Sequence, residues 1–234
     1  MKKDSIHQQF YLEILSKIKS GEWKKGDKIP AERTLCGLYN ISRTTVREAL
    51  KNLENEGYVV RKRGSGSFVN IKPIKQELAK LYTLREMFIE QGIKHDVRIL
   101  EFENEQGNEE ICKMLNIEAG ERVYKINRVF FAASIPYTVE YTYLPYSSVP
   151  DITREMVEND GLYASLERLD KKPTDAEEII RAIEITERQK ELLELDDVSF
   201  AIETKRVARS NNTIIEYTVN ITRNDYFVYT VKLG

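Results

Sequence analysis

The chain has 234 residues, of which 41% are hydrophobic, and its formal net charge is −2. This length allows two ordinary domains, each with its own hydrophobic core. No apolar run approaches the ~20 residues that a membrane span needs, and the first residues lack the apolar core of a signal peptide. These features exclude an integral helical membrane protein and predict a cytoplasmic one that makes no membrane contact.

Charge is distributed unevenly along the chain. Residues 1–75 hold 16 Lys/Arg and 8 Asp/Glu, whereas the remaining residues hold 20 and 30. A basic face gains affinity for nucleic acid by displacing counterions from phosphates, and an acidic domain is repelled. The split predicts that only the N-terminal part meets a polyanion.

The two cysteines, Cys36 and Cys112, lie far apart in the sequence and have no CxxC spacing. We expect free buried thiols rather than a disulfide or a metal site. Since the chain holds only two histidines, a His-rich metal site is also disfavoured, and we expect no cofactor.

Helical periodicity predicts three helices before residue 58. The first carries Phe10, Ile14 and Ile18 and stops near Gly21. The second starts at Pro30, with inward Leu35, Leu38 and Tyr39, and ends around Asn40. The third follows Ser42 as its N-cap, carries an apolar stripe and ends at Gly57; the stripe is Val46, Ala49, Leu50 and Leu53.

The opposite face of the third helix carries Arg43, Thr44, Arg47 and Lys51. Short donors and long cations therefore project together from the N-terminal half, the part of a recognition helix that reaches base edges. We identify Arg43 and Arg47 as candidates for base reading.

A basic hairpin follows. The segments 58–63 and 67–71 flank Gly64-Ser65-Gly66, which predicts a two-stranded wing with Arg61-Lys62-Arg63 beside a tip that can approach a DNA backbone or minor groove. A solvated charged helix beside an ordinary hairpin is the alternative for either piece alone. Both pieces in this order favour a winged helix-turn-helix that binds double-stranded DNA.

Residues 5–70 resemble the DNA-binding domain of the GntR family of bacterial transcription regulators. Residues 26–33 are similar to its GxxLPSER segment, with Ala31 in place of the usual Ser. The resemblance implies DNA contacts by matching residues, to which the pattern above adds Thr44 and Arg63; the matching residues are Arg33, Ser42, Arg43, Thr45, Arg47 and Gly66.

The second part of the chain is predicted to be an α+β domain with an antiparallel sheet. Pro73 and mixed charge mark residues 73–82 as a linker between domains at 1–72 and 83–234. A helix at 83–91 opens the second domain, and helices near 106–115, 162–169 and 187–193 separate short β-rich runs. The runs are 97–103, 122–131, 137–144, 178–185, 199–207, 214–222 and 227–232.

An internal echo relates two parts of this domain. Residues 115–129 align with 193–207, and each segment continues to Glu-Tyr-Thr. The echo predicts a duplicated helix-strand-hairpin unit and two Arg/Glu sets, Arg128 with Glu140 and Arg206 with Glu216. Period-2 alternation places Arg128 on an apolar face, where a cation needs a partner.

That partner is open at this point. Glu140 or Glu216 can form a structural ion pair with Arg128. Alternatively, the guanidinium can bind the anionic group of a metabolite whose hydroxyls donate hydrogen bonds to a carboxylate. Tyr163 lies on a short amphipathic helix, where core packing is the more common role, although its hydroxyl can reach a pocket.

Residues 83–233 resemble the UTRA domain, the effector-binding tail of the HutC subfamily, whose fold is similar to that of chorismate lyase. The segments that carry the resemblance are Ile126-Asn-Arg-Val, Ile135-Pro-Tyr-Thr-Val-Glu-Tyr-Thr-Tyr-Leu-Pro and Ile215-Glu-Tyr. It implies a sugar phosphate or other small acid as effector, bound by residues that match Arg128, Glu140 and Glu216.

Together these features predict a metabolite-responsive transcription regulator, a repressor that binds a palindromic operator as a homodimer. One alternative is a DNA-binding head fused to an enzyme of the chorismate lyase type, although no activated nucleophile is evident. Another is a dimeric DNA binder that takes no ligand.

Overall fold

The computed structural model describes residues 6–19, 22–70, 74–77, 83–132, 135–195, 200–224 and 227–231. It divides the chain into two compact units, Met1–Ile74 and Lys75–Gly234, which are called the head and the tail below. Most of the linker expected at 73–82 lies outside the described residues, so its bounds stay a prediction. No described helix is long and apolar enough to cross a membrane.

The head consists of three helices and a hairpin. The predicted apolar stripes of the first and third helices are buried in one cluster, to which all three helices and both strands contribute. On the second helix Leu35 is buried and Tyr39 packs against the cluster, but the prediction that Leu38 faces inward is wrong, because it is 70% exposed. Val46, Ala49 and Leu53 are fully buried, so the third helix presents the face opposite to its cations to the core. The elements are α1 (Ile6–Lys19), α2 (Glu32–Tyr39), α3 (Arg43–Asn55), β1 (Val59–Lys62) and β2 (Gly66–Val69).

The helix ends follow the predicted signals in α3 and at the C-terminal end of α2, which is capped by Asn40, but not at the start of α2. Ser42 accepts a hydrogen bond from the Thr45 amide, which confirms it as the N-cap, and Gly57 has a positive φ just after the helix. The second helix begins at Glu32, two residues after the predicted start at Pro30, with Ala31 as an N-cap that makes no side-chain hydrogen bond.

The predicted wing is present and shorter than expected. Strand β1 pairs antiparallel with β2 from Val59↔Val69 to Lys62↔Gly66. Arg63 lies in the turn and not in the strand, where the sequence had placed it. It therefore stands at the tip of the hairpin together with Gly64, whose φ is +76°.

The tail is built on a six-stranded antiparallel sheet of order β4-β5-β6-β9-β8-β7, as predicted for an α+β domain. A small second sheet pairs β3 with β10. The strands are β3 (Ile74–Glu77), β4 (His95–Gln106), β5 (Arg122–Ala132), β6 (Ile135–Pro145), β7 (Asp175–Glu184), β8 (Phe200–Ser210), β9 (Thr213–Arg223) and β10 (Phe227–Thr230).

Helices cover both faces of the large sheet. Leu162 and Leu166 pack with Tyr124 and Ile126 on one face, whereas α8 packs on the other. The sequence did not predict α6 or β3, which occupies part of the expected linker. The helices are α4 (Leu84–Glu90), α5 (Glu109–Leu115), α6 (Arg154–Asp160), α7 (Leu162–Arg168) and α8 (Glu187–Leu193), and residues 146–148 form a 3-10 helix.

The sheet contains the duplicated unit that the sequence echo predicts. In each copy a helix precedes a long hairpin, α5 before β5–β6 and α8 before β8–β9. The two hairpins close with equivalent pairs, Ala132↔Ile135 and Ser210↔Thr213, and each has a register shift a few residues from its turn. The same backbone pattern therefore occurs twice in the sheet.

Candidate functional site

The exposed face of α3 carries a cluster of cations. Arg43, Thr44, Arg47 and Lys51 border a shallow depression together with Arg61 of the wing. The arginine side chains keep most of their surface accessible, 76% for Arg43 and 62% for Arg47. These groups can therefore reach a partner without any rearrangement of the head core.

One carboxylate on α2 orients the two arginines proposed to read bases. Glu32 accepts from Arg43 Nε at 3.1 Å, and its other oxygen lies 3.7 Å from Arg47 Nε. Because Arg43 and Arg47 are one helical turn apart, a single acceptor between them holds both guanidinium groups over the same part of the helix surface.

The remaining predicted DNA contacts are distributed over the cap of α3, the start of α2 and the wing. Ser42 and Thr45 share a hydrogen bond of 2.8 Å between their hydroxyls, so both also serve the helix cap. Arg33, Arg63 and Gly66 are exposed. Gly66 has a φ of +113°, and a Cβ there would lie 3.2 Å from the Lys28 side chain, so glycine suits this position.

The tail contains a cavity of about 210 Å³ between the sheet and the α4, α6 and α7 segments. All four residues predicted to contact an effector line it: Arg128, Glu140, Tyr163 and Glu216. The sheet therefore brings together side chains that are up to 88 positions apart in the sequence, which no local pattern could demonstrate.

A row of polar side chains crosses the floor of the cavity. Arg128, Glu140, Asn220 and Thr204 lie opposite one another on four adjacent strands. Arg128 and Glu140 form an ion pair and are only 5% and 7% exposed. The Thr142 hydroxyl also donates to Glu140, at 3.1 Å.

The next row contains the second arginine, which has a partner that the sequence did not predict. Arg206 lies opposite Thr218 on β9 and opposite Glu178 on β7. Its guanidinium donates to Glu178 Oε1 from Nε at 2.7 Å and from Nη2 at 2.6 Å. Glu216, which the sequence grouped with Arg206, lies opposite Ala208, and it lines the same cavity and feels the charge of Arg206.

Glu216 is the most deeply buried carboxylate of the cavity. It is 2% exposed, and its Oε1 accepts from the Thr218 hydroxyl at 2.5 Å. Burial raises the pKa of Glu216, although the positive charge of Arg206 opposes the effect. Burial and the charge of Glu216 also raise the pKa of Tyr163, whose hydroxyl accepts from Arg206 Nη1 at 3.2 Å.

Several cavity residues were not predicted from the sequence. Asn220, Thr204 and Gln76 are polar, and Gln76 comes from the unpredicted strand β3. Alternation along β9 places Asn220 on the same face as Glu216, and this was the available signal. The structure also leaves Cys36 and Cys112 as free thiols, and no group of metal-ligating side chains occurs among the described residues.

Comparison with known protein families separates the same two parts of the chain. Residues 6–69 match the bacterial regulatory proteins of the gntR family, and residues 90–228 match the UTRA domain. The chain belongs to the GntR family. This GntR regulator is thus a DNA-binding transcription regulator with a UTRA effector-binding domain.

Full-length relatives share this organisation. The GntR regulator is 26% identical over 226 residues to the HTH-type transcriptional repressor NagR of Bacillus subtilis (strain 168), covering 96% of this chain and 93% of NagR. It is 27% identical over 233 residues to the mannosyl-D-glycerate transport/metabolism system repressor MngR of Escherichia coli (strain K12), covering 96% of each.

A solved structure supports the fold. PhnF from Mycobacterium smegmatis matches with a TM-score of 0.70 and 22% identity, covering 96% of this chain and 98% of that one. At this identity the likeness establishes the fold of the GntR regulator and not its effector.

Proposed function

We propose that this protein is a repressor of a metabolic operon and that a small polar metabolite in the tail cavity changes its affinity for the operator. The observation that carries the effector part is a set of buried polar atoms without hydrogen-bond partners in the described structure. Arg128 Nε, Glu216 Oε2 and Asn220 Oδ1 all belong to residues that line the cavity. A buried polar atom without a partner costs about 1–3 kcal/mol, which a ligand's hydrogen bonds would offset.

The DNA part of the proposal rests on the exposed face of α3 and on the wing. In this arrangement the N-terminal half of α3 enters the major groove, where Arg43 and Arg47 read guanine edges. Arg63 at the wing tip contacts the backbone or the minor groove. The remaining contacts come from the start of α2, the start of α3 and the wing, where the backbone comes close to the DNA. The residues are Arg33, Ser42, Thr44, Thr45 and Gly66.

We infer that the protein binds DNA as a homodimer. A single head reads only a few base pairs, and two heads related by a twofold axis read a palindromic site with half-sites one helical turn apart. Relatives named as repressors, two of them of a transport/metabolism system and a utilization operon, support the regulatory role. Since a bacterial transcription regulator meets its operator in the cytoplasm, we also propose a cytoplasmic location.

Coupling between the two parts requires a ligand that distinguishes two arrangements of the heads. A typical coupling of ~1–3 kcal/mol would change operator affinity about 5–150-fold. The segment 73–82 joins the two units in the sequence and is the proposed hinge. The resemblance narrows the expected effector further, to a sugar phosphate or other small acid.

The test is binding of the purified full chain to fluorescent duplexes from its own promoter region. We expect salt-sensitive binding that a metabolite from a mixed panel alters, and no such response in a variant with the cavity blocked by Thr204→Trp. A matched control is Thr213→Trp, at an exposed position at the start of β9. Operator binding that no metabolite changes would favour a dimeric DNA binder without a ligand.

A further inference from the structure

The charges of the cavity do not favour an anion. Its described lining contains six carboxylates and three guanidinium groups. On the sheet floor, Arg128 is paired with Glu140 and Arg206 with Glu178, so Glu216 shares the charge of Arg206 with Glu178. A dianionic phosphate on this floor would lie among three carboxylates and would have to displace one of them from its arginine.

At the edge of the cavity most charges are already paired, and one guanidinium is not. Glu158 and Asp160 are paired with Arg154 and Arg168, at 2.7 and 2.6 Å. Among the described residues that line the cavity, Arg85 is the one arginine that pairs with no carboxylate; it donates to the Asn159 carbonyl at 3.4 and 3.5 Å. Of the described arginines that line the cavity, only Arg85 therefore offers an anion a guanidinium that is not already paired with a carboxylate. It lies at the edge and not on the sheet floor.

The unsatisfied hydrogen-bonding atoms also select for a donor-rich ligand. Two of the three are acceptors, Glu216 Oε2 and Asn220 Oδ1, and the third is the donor Arg128 Nε. Both acceptors lie on the cavity face of β9, separated by Thr218. A hydroxyl can satisfy either an acceptor or a donor, whereas an ammonium satisfies acceptors only and also neutralises a carboxylate.

The size of the cavity limits the ligand further. Drug-sized ligands occupy pockets of roughly 300–1,000 Å³, and this cavity holds about 210 Å³. One charged group and a few hydroxyls suffice to fill it.

We propose that the cavity takes a small hydroxylated amine, whose ammonium pairs with Glu216 and whose hydroxyls bind the polar row at Asn220 and Thr204, and that a phosphate group is excluded. This inference rests on the proposed effector function of the same cavity. Because burial holds the pKa of Glu216 above its usual value, ammonium binding also favours release of the Glu216 proton.

The test uses two matched sets of probes with the full-length protein. The first set is glucosamine, glucose and the 6-phosphates of both, and the second is serinol, glycerol and glycerol 3-phosphate. We measure dissociation constants by calorimetry and the shift in melting temperature. A charged hydrogen bond predicts that the amine binds roughly 10–100 times more tightly than its hydroxyl analogue in at least one set. The phosphorylated probe of each set should bind more weakly than the probe without a phosphate group.

The variant Glu216→Gln should lose the preference for the amine while retaining the fold. Glu177→Gln is the matched control, because Glu177 is an exposed carboxylate on β7 that does not line the cavity. Amine affinity of the native protein should increase as the pH rises through the Glu216 pKa. The comparison of probes on the native protein tests the inference even where the variant does not fold.

Failure of this inference is distinguishable from failure of the proposed function, because operator binding is measured on the same samples. A phosphorylated probe that binds more tightly than the amines and alters operator binding would overturn the amine proposal and leave the regulator intact. Absence of binding by both amines would also overturn it. A protein that distinguishes no promoter duplex from random DNA would contradict the proposed function itself.

Discussion

Arg128 on β5 lies directly opposite Glu140 on β6, and the two side chains form an ion pair on the floor of the tail cavity. Both are almost entirely buried, and Thr142 donates a further hydrogen bond to the carboxylate. Two buried charges are tolerated here because each neutralises the other. Removing one leaves the other without its counter-charge in a medium of low polarity.

We therefore expect Arg128→Met to destabilise the tail by about 3–5 kcal/mol. The double variant Arg128→Met with Glu140→Leu should recover most of this loss, because it removes both charges and retains the volume. Urea denaturation followed by circular dichroism measures both. A double variant that is less stable than Arg128→Met would contradict this account of the pair.

The stability of the protein should also depend on the ionisation of Glu216. Burial raises its pKa, so the folded protein binds this proton more tightly than the unfolded chain does. The stabilisation is complete below the ordinary Glu pKa and is lost as the pH rises through the raised value. Because Glu216→Gln cannot ionise, its free energy of unfolding should increase relative to that of the native protein across this window. Parallel curves for the two proteins would exclude this linkage.

The parts of the fold that the sequence predicts are those with strong local patterns. The α3 stripe, the Ser42 cap and the long hairpins each depend on residues close together in the chain. The duplicated unit was visible because equivalent residues recur at a constant spacing. By contrast, α6 has one fully buried apolar residue, Val157, so it presented no stripe. The strand Ile74–Glu77 points a polar residue, Gln76, inward, and thus looked like a linker.

The cavity was predicted in its residues and only partly in its contacts. Alternation placed Arg128 on the inner face, but the partner of Arg206 depends on which strand forms the next neighbour in the sheet. That neighbour is β7, which supplies Glu178. Strand order is set by packing of the whole domain, and no pattern within β8 or β9 specifies it.

In the head, the two arginines held by Glu32 should contribute differently from ordinary surface cations. Arg47→Ala should weaken binding to the operator by about 1–3 kcal/mol and relax the preference at one base pair. Fluorescence anisotropy with the operator and with single-base variants of it measures both effects. Arg188→Ala serves as the control, since it removes an exposed cation of the tail. Equal losses on every duplex would show that Arg47 contacts only phosphate.

Removing an arginine should weaken DNA binding, whereas replacing the carboxylate that holds these arginines should strengthen non-specific binding. Glu32→Gln removes a negative charge beside Arg43 and Arg47, so affinity for random DNA should increase and the ratio of specific to non-specific affinity should fall. Exposed ion pairs contribute only ~0–1 kcal/mol, so the stability of the head should change little. A variant with unchanged affinity for random duplexes would mean that Glu32 does not shield the arginines.

The turn residue Arg63 should act through charge and not through base recognition. Arg63→Ala should weaken binding to all duplexes alike and lower the slope of log affinity against log salt concentration by about 1. Titrations at a series of salt concentrations measure that slope, again with Arg188→Ala for comparison. A base-dependent loss would instead assign Arg63 to readout in the minor groove.

The two helix caps of the head allow a matched test of stability. Ala31 and Ser42 have similar extended backbone angles, but only Ser42 supplies a hydroxyl that accepts from the first turn. Ala31→Ser should therefore stabilise the head by about 0.5–2 kcal/mol, and Ser42→Ala should destabilise it by a similar amount. Trp23, the single tryptophan, packs against the head core, so its fluorescence follows unfolding of this unit alone. If Ala31→Ser leaves the denaturation midpoint unchanged, then the α2 cap is satisfied by solvent and the missing hydroxyl is of no consequence to the fold.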